Sequence, residues 1–293
     1  MKYVSSRNKN EIVESHNAII QGLATDGGLF TPENIDIHIN VDELINLSYQ
    51  QIATKVIHAF LDDFTEEEIS SSVNQAYDSK FDTEEIVPLH KIEDAYLMEL
   101  YHGPTSAFKD IALTLLPHLL IQSYNKENRH DTISILTATS GDTGKAALSG
   151  FADVKHTAIT VFYPEVGVSQ VQKKQMQTST GDNVEVIAVR GNFDDCQRMV
   201  KEAAQDPQVL ASLHNVTISS ANSINVGRLI PQVVYYYSSY CKLVKDGAIQ
   251  CGDLVNFVVP TGNFGDILAG YLAYRTGLPV NQLICASNSN NVL

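Results

Sequence analysis

From about residue 95 onward the sequence alternates short apolar runs with amphipathic stretches, and no other feature narrows the fold as much. Ala95 to Leu100, Thr132 to Thr137, Thr157 to Tyr163, Val184 to Val189, Val216 to Ser219, Leu254 to Val259 and Gln282 to Ala286 read as strands. Between them, helical spacing covers about 106–126, 143–151, 169–177, 193–205, 224–245 and 264–276. This alternation predicts an α/β fold with mainly parallel sheets covered by helices on both faces. Ligands of such sheets sit beyond the carboxyl ends of the strands, so the strand-to-helix turns are where chemistry belongs.

The first 85 or so residues read differently. Asp42 to Phe60 has helical spacing, and Thr65 with Glu68 is a capping box opening a second helix; both helices are expected to be short and surface-packed. The acidic run between 61 and 85 is expected to be a solvated face. Length favours two packed domains, whose boundaries must lie inside turns.

Composition excludes several function classes. Apolar residues make up 44% and charged residues 18%, which rules out a disordered or coiled-coil chain. The net charge of -14 repels phosphate backbones and anionic lipid, so neither nucleic acid nor a membrane is expected as a partner, and an anionic ligand must be held by local groups. Apolar stretches fall short of a membrane span, and no secretory signal is expected from the polar segment Met1 to His16. The four cysteines lack metal or C-x-x-C spacing, which suits free thiols in a reducing cytoplasm, and the nine histidines predict no catalytic zinc.

Three strand-turn-helix junctions are rich in Gly, Ser, Thr and Asn. The first, Leu100-Tyr-His-Gly-Pro-Thr-Ser-Ala-Phe-Lys109-Asp110, puts a lysine in the first turn of a helix, whose positive end helps depress the amine pKa and favours attack on a carbonyl. The plain alternative is a surface lysine paired with Asp110. The second, Thr137-Ala-Thr-Ser-Gly-Asp-Thr-Gly144-Lys145-Ala146, misses the P-loop pattern at Thr139 and Ala146, which argues against nucleotide hydrolysis. It keeps a loop whose N–H groups and hydroxyls (Thr139, Ser140, Thr143) can cradle a phosphate or a carboxylate. The third, Pro260-Thr-Gly262-Asn263-Phe264-Gly265-Asp266, is a second cradle of the same type. One lysine and two anion loops ask for a carbonyl, a phosphate and a second anion, and pyridoxal phosphate with an amino-acid substrate meets all three demands. Arg228 with Asn222, Ser223 and Asn225 offers a phosphate-ester site, against the alternative of a structural ion pair. Tyr235-Tyr236-Tyr237 reads as core packing.

Six segments in register resemble the threonine synthase family. They are Gly22 to Pro32, His102 to Asp110, Thr139 to Gly144, Gly191 to Gln197, Asn222 to Asn225 with Arg228, and Gly262 to Asp266. The resemblance implies the tryptophan-synthase-β type of pyridoxal-phosphate fold, with two three-layer αβα domains of mainly parallel sheets behind an N-terminal, mostly helical subdomain; the limits it implies are 1–90 for the subdomain, 91–127 with 247–293 for a large domain and 128–246 for a small one. It further implies that O-phospho-L-homoserine and water become L-threonine and phosphate. Carried across by position, Lys109 binds the cofactor and acts as the acid-base group. Gly262, Asn263, Phe264, Gly265 and Asp266 hold the cofactor phosphate. Thr139, Ser140, Gly141, Asp142 and Thr143 surround the substrate carboxylate and the cofactor ring oxygen, and Asn222, Ser223, Asn225 and Arg228 take the substrate phosphate. Related enzymes commonly have Asn where Asp142 stands, so the contact it makes is left open. The alternatives are a serine/threonine dehydratase or cysteine synthase of the same fold, or an inactive fragment. A monomer or homodimer is expected, in the cytoplasm. The family's greater length implies that the chain continues past Leu293, with the residue facing the pyridine nitrogen beyond it.

Overall fold

The computed structural model describes residues 1–293 except Ile224, Asn290, Val292 and Leu293; the expected helix start at 224 and the last residues of the segment 286–293 thus lie outside the described residues. The chain opens with strands β1 (Lys2–Ser5) and β2 (Ile12–Glu14), helix α1 (Ser15–Gln21) and strand β3 (Phe30–Pro32). The three strands pair antiparallel in the order β2-β1-β3. At three or four residues each they are too short to show alternation, which is why this part read as mostly helical. A single 3-10 turn (Val41–Glu43) precedes α2 (Tyr49–Phe60) and α3 (Glu66–Ala76). The capping box at Thr65 and Glu68 forms, and so does one at Ser48 and Gln51.

Strands β4 (Leu89–Ile92) and β5 (Ala95–Met98) form an antiparallel hairpin turning at Glu93, whose φ is 51°. The strand expected at Ala95 therefore exists but pairs with its immediate predecessor rather than joining a parallel sheet. The single helix expected at 106–126 divides into α4 (Asp110–Leu113) and α5 (Leu116–Lys126), the second carrying Pro117 in its first turn. Next come β6 (Thr132–Ala138), α6 (Asp142–Phe151), β7 (Thr157–Pro164), α7 (Gln170–Gln177), β8 (Val184–Val189), α8 (Phe193–Gln205), α9 (Pro207–Ser212) and β9 (Val216–Ser219). Their four strands are all parallel, in the order β8-β7-β6-β9. The order reverses between β6 and β9, so the turns leaving these two neighbours open on the same edge, the switch point where α/β sheets take ligands.

The helix expected at 224–245 is α10 (Val226–Leu229) and α11 (Pro231–Lys245), broken where Pro231 starts the second. Strand β10 (Val255–Pro260), α12 (Gly265–Arg275) and β11 (Val280–Ala286) complete the chain, β10 and β11 pairing parallel. One apolar cluster runs from Tyr3 to Val280. Helix α2 lies inside it, packed on α3 and α11 with Val56, Ile57 and Phe60 fully buried, so it is a core helix and not the surface helix expected. The tyrosines of α11 are core residues, as expected.

Candidate active site

Helix α4 packs against α6, α10 and α11, and α10 against α12. The starts of α6 and α10 thereby bring Asp142 and Arg228 to the Lys109 amine. Asp110 builds its turn: the fully buried carboxylate accepts from the Thr105 N–H at 2.8 Å, the Thr105 hydroxyl at 2.6 Å and the Ala107 N–H at 3.5 Å. It is therefore not the partner of Lys109. Lys109 Nζ stands 3.5 Å from Asp142 Oδ2 with its side chain 19% exposed. Burial pushes the amine below its usual pKa and neighbouring Arg228 adds to this, while Asp142 opposes. The expected helix-end effect has little helix behind it, because α4 has only four residues.

The turn leaving β6 is held from within. The Thr139 hydroxyl, buried, accepts from the N–H groups of Gly141 at 3.0 Å and Gly144 at 2.9 Å. Thr139 thus shapes the loop rather than facing a ligand. Ser140 is exposed, Thr143 half-buried, and the N–H groups of Ser140, Asp142 and Thr143 meet no acceptor among the described residues. Asp142, left open by sequence, contacts Lys109 and accepts from Gln172 Nε2 at 2.6 Å.

In the turn leaving β9, Asn225 is fully buried and turned toward the protein. Its Nδ2 donates to Ile19 O at 3.0 Å and Ser220 O at 3.2 Å, and its Oδ1 accepts from Gly227 N–H at 2.8 Å. It is a structural clasp onto α1, not a ligand contact. Arg228 fares otherwise. It is 5% exposed and donates to Ala221 O at 3.1 Å. Among the described residues it has no ion-pair partner, so the structural ion pair weighed against it does not exist here. Burial lowers its pKa to about 10, so it remains a guanidinium at neutral pH. Asn222 is half-buried and Ser223 exposed, and neither side chain has a protein partner among the described residues.

The third loop is open. Gly262 and Phe264 adopt left-handed φ values of 46° and 65°, and a β-carbon built on Gly262 or Gly265 would meet nothing within 4 Å. The N–H groups of Gly262, Asn263, Gly265 and Asp266 have no acceptor among the described residues. They stand at the start of the 11-residue helix α12, a place that suits a phosphate. Asp266 does not face this cradle with its carboxylate. Its Oδ1 accepts from the Tyr235 and Tyr236 hydroxyls, the latter at 3.1 Å, and Tyr236 also donates to Asp266 O at 2.9 Å. Burial holds the Asp266 carboxyl above its usual pKa while these bonds oppose it. Two tyrosines that read only as core thus fasten the back of the loop, and Gln172 was missed altogether.

These residues fit pyridoxal phosphate: a half-buried amine for its carbonyl and an open set of N–H donors for its phosphate. The model of the family described as "Pyridoxal-phosphate dependent enzyme" matches residues 82–292, and one described as "Threonine synthase N terminus" matches residues 2–77. The chain is 40% identical to a threonine synthase of Pseudomonas aeruginosa, over all of this chain and 61% of that protein. It is 39% identical to threonine synthase-like 1 of Homo sapiens, over 94% of this chain and 39% of that protein. A crystal structure of pyridoxal-phosphate-bound threonine synthase from Brucella melitensis superposes with a TM-score of 0.88 at 36% identity, covering 99% of this chain and 61% of that one. The chain thus spans less than two thirds of the length of these relatives.

Proposed function

The chain belongs to the pyridoxal-phosphate dependent enzyme family, and from that premise we propose that its protein converts O-phospho-L-homoserine and water to L-threonine and phosphate. The observation that carries this reading is Arg228: a buried guanidinium without a carboxylate partner among the described residues, close enough to Lys109 to lower the pKa of its amine. A dehydratase or a cysteine synthase has no use for such a charge, whereas a phosphorylated substrate does.

The cofactor, when bound, supplies an electron sink for negative charge at the substrate Cα. Lys109 removes the Cα proton and one Cβ proton, supplies a proton to Cγ once phosphate has left and, after water adds at Cβ, returns one to Cα, work suited to an amine whose pKa burial has lowered. Arg228, with Asn222 and Ser223 beside it, holds the substrate phosphate and takes up the charge that builds on it as the Cγ–O bond breaks. The free N–H groups of Ser140, Asp142 and Thr143 receive the substrate carboxylate, and those of Gly262, Asn263 and Gly265 the cofactor phosphate. The four-stranded sheet then belongs to the small domain and β10, β11 and α12 to the large one. Since α11 packs on α2 and α12, we draw their boundary before α10. No helix among the described residues is long and apolar enough to cross a membrane, and the four cysteines are free thiols, which suits a cytoplasmic protein acting on a small molecule.

Steady-state phosphate release from O-phosphohomoserine, with threonine as the product, tests the proposal on the full-length protein. Formation of ammonia and 2-oxobutyrate from threonine instead would make it a dehydratase. With added pyridoxal phosphate, an absorbance band at about 410–430 nm is expected, and Lys109→Ala should abolish it. Arg228→Ala should weaken use of the phosphorylated substrate by about 1.5–3 kcal/mol, chiefly through KM.

A further inference from the structure

The spacing Ser-x-x-Gln opens two helices, and its glutamines behave differently. At α2, Gln51 Oε1 turns back and accepts from the Ser48 N–H at 2.9 Å, closing the capping box. At α7, the Ser169 hydroxyl accepts from the Gln172 N–H at 3.2 Å, but the amide leaves its own helix. Gln172 Oε1 accepts from the Ser169 hydroxyl at 2.9 Å, which fixes the orientation of the amide, and Nε2 donates to Asp142 Oδ1 at 2.6 Å. The amide lies over Gly141, where any β-carbon would collide with it. The other oxygen of Asp142 stands 3.5 Å from Lys109 Nζ, beyond the roughly 2.7–2.9 Å of a charge-assisted hydrogen bond.

We propose that Gln172 is a positioning residue: its amide holds one oxygen of Asp142 so that the other stays beside the Lys109 amine without closing on it. The inference rests on the reading above, in which Lys109 is the reacting amine. The charged groups facing that amine are Asp142 from α6, Arg228 from α10 and Asp110 from α4. Asp110 is bound by Thr105, and Arg228 is buried and bound to Ala221. Asp142 is 51% exposed, and Gln172 is what restrains it. Released, the carboxylate turns to the nearest cation and holds Lys109 as ammonium, which cannot attack a carbonyl.

The test reads the free amine. Lysines of the whole chain are ¹³C-dimethylated and titrated by NMR, with Lys109→Arg assigning the signal. Gln172→Ala should raise the apparent Lys109 pKa by about 0.5–1 unit. Gln172→Met, which keeps the volume of the stem, should give the same rise. In an Asp142→Asn background, neither change should move it. A Lys109 pKa that stays or falls in both Gln172 variants, or that rises equally with Asn at 142, overturns the inference. Neither cofactor nor substrate enters this measurement. A protein that releases no phosphate therefore sinks the functional reading and leaves the role of Gln172 standing.

Discussion

The turn at Thr139–Thr143 and the turn at Thr261–Asp266 are built from the same small polar residues and both keep N–H groups without acceptors among the described residues, but they are held in shape differently. In the first, the buried Thr139 hydroxyl takes up two of the loop's own N–H groups, at 3.0 and 2.9 Å, and a glutamine lies over its glycine. In the second, Gly262 and Phe264 sit at left-handed φ and four successive or near-successive N–H groups lack acceptors among the described residues. Thr261 donates to Ala286 O at 3.0 Å in front, and Asp266 ties the loop to two tyrosines behind. The first loop is braced from within by its own hydroxyl, so it keeps its shape without a ligand and can orient a neighbour such as Asp142 beside its free N–H groups. The second is held in shape by outside anchors, and both offer hydrogen bonds to an anion.

The comparison breaks most visibly at Thr139. Thr139→Val keeps the shape of the side chain and strips the acceptor from two N–H groups. Orphaned groups of this kind cost about 1–3 kcal/mol each, so a loss of about 3 kcal/mol is expected in urea unfolding. A loss under about 1 kcal/mol would mean that the loop does not depend on its own hydroxyl.

On the other side, Tyr236→Phe removes the bonds to Asp266 O and Oδ1 and should cost about 1.5 kcal/mol, while weakening phosphate binding at the loop. The pH dependence carries a sign. Burial holds the Asp266 pKa above its ordinary 3.8, so the native chain loses stability as pH rises through that raised value. Without the Tyr236 hydroxyl the pKa climbs further and this loss deepens. The gap between variant and wild type should therefore widen from acid toward neutral pH, and a gap that narrows would show that Tyr236 does not support the ionised carboxylate. Gly262→Ala comes next, at about 1 kcal/mol by thermal unfolding. An alanine there meets no neighbour but must hold a φ of 46°.

The parallel sheet could be read from sequence because β6 and β7 alternate buried with half-buried positions over seven and eight residues, long enough to show a period. The strands of β1, β2 and β3 span three or four residues and gave no period to read. At the site, residue types pointed to the right turns but not to the direction of each side chain. Asn225 and Asp266 have the chemistry of ligand contacts, yet one is spent on Ile19 O and the other on Tyr235 and Tyr236. The residues that fasten the loops escaped notice because their partners lie far along the chain: Gln172 is 30 positions from Asp142, and Tyr235 31 from Asp266. Such pairs have no sequence signature, since only the crossover topology brings their helices together.

Gly265 gives the finest separation of shape from offered hydrogen bonds. Unlike Gly262 it has no left-handed φ, it opens α12, and a β-carbon there meets nothing within 4 Å. Gly265→Ala should therefore leave stability within about 0.5 kcal/mol of wild type, since neither strain nor collision opposes the methyl. The methyl nevertheless enters open space next to the unpartnered Gly265 N–H, and it is expected to crowd an anion bound there. Titration of pyridoxal phosphate, followed by absorbance, should show weaker binding at unchanged melting temperature. Unchanged affinity would place the phosphate elsewhere, and a lowered melting temperature would mean that the loop, like its counterpart at Thr139, is braced from within.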